Sequence, residues 1–352
     1  MSMKDQAKQV RAGEELNLKV LTHFLTEQLE GFSGAIELLQ FPGGFSNLTY
    51  LISAGKREYV LRRPPFGANI KGGHDMKREF RVLKALEKFY GKAPKPILFC
   101  DDQEVMGSDF YLMERVEGVI LRSEASETLD LSAERMKALS ENTIDHLADL
   151  HLIDLEAAGL SDFGKPEGYT KRQVSGWIER YYKAKTDQVP AMDQAADWLK
   201  NNIPEQKHVS LIHNDFKYDN LVLQSERLEE IIAVLDWEMS TIGNPLMDLG
   251  TTLAYWAQAD DDEVLKSFGL TWLPGNLSRK QLVERYAEKT GFDVSEQLFY
   301  YVFGAFKIGG IIQQIYQRYQ KGLTKDPRFA HLLVAVKANA QNAVKALDRG
   351  GL

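Results

Sequence analysis

Apolar residues at Leu16, Val20, Leu21, Phe24, Leu25 and Leu29 recur every three or four positions, which predicts an amphipathic helix over residues 14–29 ending at Gly31. The period then shortens to two. Strands are expected over 35–41, 47–54 and 57–62, with Pro42-Gly43-Gly44 and Gly55-Lys56 as the intervening turns. Helical spacing returns over 74–89, where Phe80, Leu83 and Leu86 share a face, and two more short strands follow at 94–99 and 110–113. Beyond residue 115 the pattern is mainly helical. Helices are predicted over 132–152, 173–185, 192–201, 253–257, 278–290, 297–319 and 327–347, and short apolar runs end at Ile212, Leu223 and Leu235. The pattern predicts a small strand-rich part followed by a larger helical one.

Composition changes this picture little. The 352 residues are 44% hydrophobic and 26% charged, ordinary for a globular protein. A net charge of −7 without a Lys/Arg-rich run argues against nucleic acid or an anionic membrane as the main partner. No apolar stretch is long enough to span a bilayer, and the polar start MSMKDQAKQVRAGEE lacks a signal core, so a cytoplasmic location is expected. Cys100 is the sole cysteine, which rules out an intrachain disulfide and suits a reducing compartment.

The chemistry concentrates in LIHNDFKYDN, residues 211–220, and in the carboxylate closing IIAVLD at Asp236. Asp215 and Asn220 stand five apart, with Asp236 sixteen further on. The polar stretch 224–230 lets a hairpin bring Asn220 and Asp236 to one edge. A carboxylate and an amide oxygen beside phosphates suit Mg²⁺, a hard ion. Asp215 could then accept a hydroxyl proton during transfer of a phosphoryl group. His146 and His151 lack the i, i+4 spacing of a zinc motif, and no G-x-S-x-G elbow supports a serine hydrolase around Ser46.

HNDFKYDN followed by LDWE resembles the catalytic and metal-binding segments of the protein-kinase-like superfamily, closest to its aminoglycoside phosphotransferase and choline kinase branch. Asn214 stands where protein kinases carry arginine, and Asp236-Trp237-Glu238 replaces D-F-G. The resemblance implies an α+β, bilobal protein-kinase-like fold. Residues 1–115 would form a small lobe with an antiparallel sheet, and 116–352 a larger, mainly helical lobe. It also implies ATP and Mg²⁺ as cofactors, with Asp215 as base, Lys217 near the transferred group, and Asn220 and Asp236 on the metal. The loop FPGGFSN would cover the phosphates through Gly43, Gly44 and Ser46. Arg62, in the place of the usual lysine, would hold phosphate oxygens and pair with Glu79. Glu114 and Val116 would read adenine through main-chain atoms, and Asp248 would brace the catalytic loop.

LAYW at 253–256 and AFKIGGIIQQIYQRYQKG at 305–322 are similar to kinase-like domains fused to, or encoded beside, acyl-CoA dehydrogenases. That likeness implies a hydroxylated acyl group, such as a hydroxyacyl-CoA, as the small-molecule acceptor, and an acyl-CoA dehydrogenase as a partner. An aminoglycoside, choline or a sugar remains an alternative acceptor. A pseudokinase that binds nucleotide without turnover is the rival from another class. Trp177, Tyr181 and Tyr182 stand either at the acceptor site or in the core, the core being commoner for such a stripe.

Overall fold

A computed structural model describes residues 6–42, 47–67, 74–123, 125, 129–324 and 326–352. In chain order its elements are α1 (Leu18–Gln28), β1 (Glu37–Gln40), β2 (Leu48–Ala54), β3 (Arg57–Arg63), α2 (Met76–Phe89), β4 (Pro96–Cys100), α3 (Gln103–Met106) and β5 (Phe110–Glu114). There follow α4 (Ala133–His151), α5 (Tyr169–Ala184), α6 (Pro190–Asn201), β6 (Ser210–Ile212), β7 (Leu221–Leu223), β8 (Ile231–Val234) and β9 (Thr241–Gly243). The chain closes with α7 (Pro245–Tyr255), α8 (Glu263–Lys266), α9 (Arg279–Thr290), α10 (Gln297–Gln320) and α11 (Leu332–Arg349). This is the α+β composition expected: an antiparallel sheet plus a mainly helical part.

The chain divides into two compact units. One takes residues 1–120, 221–227 and 231–240; the other takes 121–220, 228–230 and 241–352. In the first, the sheet runs β1-β2-β3-β5-β4 and every pairing is antiparallel. Leu21 and Leu25 of α1 pack with Tyr50, Ile52, Leu61, Phe110 and Leu112 of the sheet, all buried. Asp75 caps α2 by accepting the Arg78 N–H at 2.9 Å, which satisfies one of the free donors of the first turn. The apolar positions 82, 83 and 86 are buried. So is Glu79 in that first turn, which periodicity alone does not suggest. β7 and β8 pair as a hairpin with Leu221 opposite Val234.

The second unit is built around α10. Its residues from Phe299 to Gly310 are buried without interruption, the signature of a helix enclosed on all sides. It packs against α5, α6, α7 and α11. Trp177 and Tyr181 of α5 lie in that core, the latter edge-on to Phe306 at 5.6 Å, whereas Tyr182 is exposed. The aromatic stripe is therefore core apart from Tyr182.

The differences from expectation include two helix starts. The helix predicted at 253–257 begins at Pro245, because Asn244 caps it through the Leu246 N–H and Pro245 occupies the first turn, where no donor is required. Asp248 thus stands in the first turn of a helix. The helix predicted from Pro327 starts as a 3₁₀ turn, Pro327–His331, and becomes α-helical at Leu332.

α7 and α10 meet with backbone against backbone. A Cβ on Gly250 would lie 2.1 Å from the Tyr300 carbonyl oxygen, and one on Gly304 would lie 2.1 Å from that of Gly250. Gly304→Ala is therefore expected to force the helices apart at a cost of roughly 3 kcal/mol. A denaturant midpoint equal to that of the wild type would disprove this close approach.

Candidate active site

The segment after β6 is held by a buried carboxylate. β6 pairs with β9 (Leu211 opposite Ile242), and the chain then turns at Asn214. Asn214 and Asp236 are the non-glycine residues with positive φ among those described, 70° and 69°. Asparagine tolerates this left-handed conformation better than most residues. Asp248 of α7, with no exposed surface, accepts the His213 N–H at 2.6 Å and the Asn214 N–H at 2.8 Å. His151 of α4 places Nε2 3.2 Å from the same carboxylate, and its Nδ1 lies 2.7 Å from the Tyr286 hydroxyl. Burial works to raise the Asp248 pKa. The His151 hydrogen bond, the nearby imidazoles and the His213 N–H outweigh it and hold the carboxyl below its usual range.

Asp215 follows immediately. Its N–H donates to His213 Nδ1 at 3.2 Å, which leaves the ring proton on Nε2. Asn220 donates through Nδ2 to the Asp215 carbonyl at 2.8 Å and to its Oδ2 at 2.9 Å. Both acceptors need an N–H, so the amide orientation is fixed and Oδ1, the atom able to ligate a cation, faces away. Lys217 Nζ is 3.2 Å from Asp215 Oδ2 and 4.7 Å from the Tyr255 ring centre. Asp215, Lys217 and Asn220 are thus one hydrogen-bonded group.

Lys217 also borders a cavity of about 240 Å³ in this unit, lined by Tyr255, Trp256, Phe268, Ile308 and Ile312. Among the described residues, Asp219 is the one carboxylate of its lining, against the two cations Lys217 and Arg279.

A second group gathers on β3 in the other unit. Arg62, buried, places Nη1 2.9 Å from Glu79 Oε1. Its Nη2 donates to Asp236 Oδ1 and Glu238 Oε2, both at 3.1 Å. Asn47 Nδ2 donates to Glu238 Oε2 at 2.7 Å, and His74 Nδ1 is 2.9 Å from Asn47 Oδ1. Burial alone would lower the Arg62 pKa, but the surrounding carboxylates raise it well above its usual value, so the guanidinium stays charged.

Of the remaining expected residues, Gly43, Gly44 and Ser46 lie outside the described residues. Glu114 ends β5 with its N–H already donated to the Lys95 carbonyl at 2.9 Å, and Val116 follows in the connector. Among the described residues no group of three or more His, Cys, Asp or Glu is placed to hold a metal ion. An amide, a carboxylate and nucleotide phosphates would not form such a trio. Sequence reading missed His151, Glu238 and Asn47, and also Lys307 of α10, which donates to the Asn214 carbonyl at 3.0 Å. Glu238 stood inside the LDWE motif; His151 and Lys307 sit on helices whose pattern only says that they face inward.

Residues 37–282, about 70% of the chain, match the model of the phosphotransferase enzyme family. The chain belongs to this family. The chain is 36% identical to human acyl-CoA dehydrogenase family member 11 over 311 residues, 86% of the chain and 40% of that protein. It is 35% identical to mouse family member 10 over 81% of the chain and 27% of that protein. The chain thus spans less than half the length of these curated relatives. Among solved structures, a Ralstonia eutropha protein provisionally named an aminoglycoside phosphotransferase superposes with a TM-score of 0.80 at 29% identity, covering 94% of this chain and 99% of that one. Choline kinase from Cryptosporidium parvum does so at 0.62 and 14% identity, over 95% and 97%, a likeness of fold. No helix among the described residues is long and apolar enough to cross a membrane.

Two outcomes follow for stability. Because Asp248 titrates below its unfolded value of 3.8, its contribution is complete above that value and is lost as pH falls through the depressed folded one. Asp248→Asn is expected to destabilise at neutral pH and to flatten the fall in stability below pH 4, measured by denaturant midpoints across the acid range; an unchanged acid slope would remove Asp248 from this role. Arg62→Met strands three carboxylates and should cost about 3–5 kcal/mol. A loss within about 0.5 kcal/mol, the range of ordinary surface substitutions, would show that the ion pairs do not hold this unit.

Proposed function

We propose that the phosphotransferase moves the γ-phosphoryl group of ATP to a hydroxyl of a small molecule, with Asp215 as general base. The observation that carries this reading is the fixed presentation of Asp215. One carboxylate oxygen is held by Asn220 and Lys217, and the other is left to receive a proton. Lys217 stands where a developing phosphate charge could be met. The fold is shared with aminoglycoside phosphotransferase APH(4)-Ia, whose complexes hold hygromycin B with ADP or with AMP-PNP.

The donor chemistry fits a magnesium ion. Asn220 turns its amide oxygen outward, and Asp236, with 38% of its side chain exposed, supplies a hard carboxylate oxygen. When bound, the ion would neutralise charge on the β- and γ-phosphate oxygens. Arg62 and Glu79 would keep the nucleotide side in order, and Glu114 and Val116 would lie along the adenine edge.

For the acceptor we favour a hydroxylated acyl group such as a hydroxyacyl-CoA. The cavity beside Lys217 is aromatic and aliphatic with a single carboxylate, which suits an apolar body better than a polycationic aminoglycoside. The names of the curated relatives, acyl-CoA dehydrogenase family members, are what supports an acyl-CoA dehydrogenase as the proposed partner activity. One observation favours a non-catalytic nucleotide-binding role instead: both amino groups of Arg62 are occupied by protein carboxylates.

The test is ATP turnover with hydroxyacyl-CoAs, hygromycin B, choline and sugars as candidate acceptors. Stimulation by hydroxyacyl-CoAs, lost on chelation of divalent metal and reduced about 10²- to 10⁴-fold in Asp215→Asn, is the expected result. Full turnover in Asp215→Asn would refute the base assignment. Nucleotide binding with no acceptor-dependent turnover would favour the non-catalytic role.

A further inference from the structure

α10 carries one cation in its buried stretch. Lys307 is 4% exposed and lies between Phe306 and Ile308, which are buried too. An apolar residue would be the cheaper occupant there, since an ammonium loses its hydration on burial. Among the described residues its one hydrogen bond goes to the carbonyl oxygen of Asn214, at 3.0 Å. That carbonyl belongs to the peptide joining Asn214 to Asp215, so its direction sets how Asp215 leaves the left-handed turn. The preceding N–H, on Asn214 itself, is donated to Asp248.

The turn is therefore gripped from two helices by opposite charges: Asp248 of α7 on its N–H and Lys307 of α10 on its C=O. The backbone approach of Gly250 to Gly304 brings these helices close two and three residues away from the gripping side chains. The charged groups that Lys307 feels are Asp248, Asp215 and Lys217. Burial works to lower its pKa, and the two carboxylates oppose this.

We propose that Lys307 is a positioning residue of the phosphotransfer site, its buried ammonium fixing the peptide that aims the Asp215 carboxylate. The inference rests on the reading of Asp215 as base. Protein kinases place an arginine in the loop at this point, whereas here the loop residue is Asn214 and the cation arrives from a distant helix.

The protein carrying Lys307→Met, and separately Lys307→Arg, is compared with wild type in three measurements. These are amide hydrogen exchange over residues 213–217, affinity for AMP-PNP, and turnover of ATP with a hydroxyacyl-CoA. In Lys307→Met, exchange at 213–217 rises about tenfold or more and kcat falls about 10- to 100-fold, the scale of an ångström-level misplacement. AMP-PNP affinity and KM for ATP stay at wild-type values, and Lys307→Arg recovers most of both losses. Should Lys307→Met not fold, Lys307→Gln, which keeps a donor without the charge, is judged by the same criteria. The proposal is overturned by wild-type kcat, by unaltered exchange at 213–217, or by a loss that tracks nucleotide affinity. Asp215→Asn separates the two readings: if it keeps full turnover the base assignment falls, while the exchange result still judges Lys307.

Discussion

Everything in the helical unit that bears on chemistry depends on one buried anion. Asp248 has no exposed surface, and a carboxylate there survives only because its lone pairs are met by two backbone N–H groups and an imidazole. Those partners all come from elsewhere: His213 and Asn214 from the turn after β6, His151 from α4. The requirement to satisfy Asp248 therefore organises three separate segments. It also offsets the cost of holding Asn214 at a φ of 70°. A left-handed residue on a loop without such a grip would relax, and the direction of Asp215 with it.

A constraint this local needs its helices in register, and small residues provide it. α7 and α10 cross where Gly250 and Gly304 remove the side chains that would otherwise hold the axes apart. A near-contact of backbones makes the spacing insensitive to rotamer choice, because no side chain intervenes. Asp248 and Lys307 then reach opposite ends of the same residue, Asn214. Neither glycine stands out in the sequence: Gly304 lies within a helical pattern, where glycine is usually unfavourable, Gly250 lies ahead of the helix predicted at 253–257, and only the crossing explains them.

Most of the elements were legible because their periods are clear. The strand pair at 47–54 and 57–62, the helix at 74–89 and the long helices at the end are where alternation and three-and-four spacing place them. α7 was legible only in part. The pattern predicts a helix only from Leu253, and the Asn244 cap that makes Pro245 the start of the helix carries no hydrophobic signal. At the candidate site, Asp215 and Asn220 were visible by spacing and Lys217 through the family resemblance, and their side chains form one group. His151 and Lys307 were not visible. A buried polar residue on a core helix looks the same in sequence whether it satisfies a distant carboxylate, a backbone carbonyl or nothing. The Arg62–Glu79 pair was expected, but the reach of Arg62 to Asp236 and Glu238 was not, since it depends on the chain folding back from positions 174 and 176 further along.

That reach gives a physical sense to arginine where kinases usually carry lysine. A lysine ammonium is a single point and cannot touch Glu79 through one nitrogen while touching Asp236 and Glu238 through another. The guanidinium is a planar fork with separate donors, and here Nη1 serves α2 while Nη2 serves the loop after β8. Arg62 is therefore a tie between β3, α2 and that loop as well as a charge. It holds Asp236 where the backbone is left-handed, much as Asp248 holds Asn214. The two non-glycine residues with positive φ among those described are thus each fixed by a buried charge of opposite kind, a cation on the side chain of one and an anion on the backbone of the other. Replacing Arg62 by lysine would keep the charge and lose the fork, so the substitution is not conservative even though it restores the commoner residue.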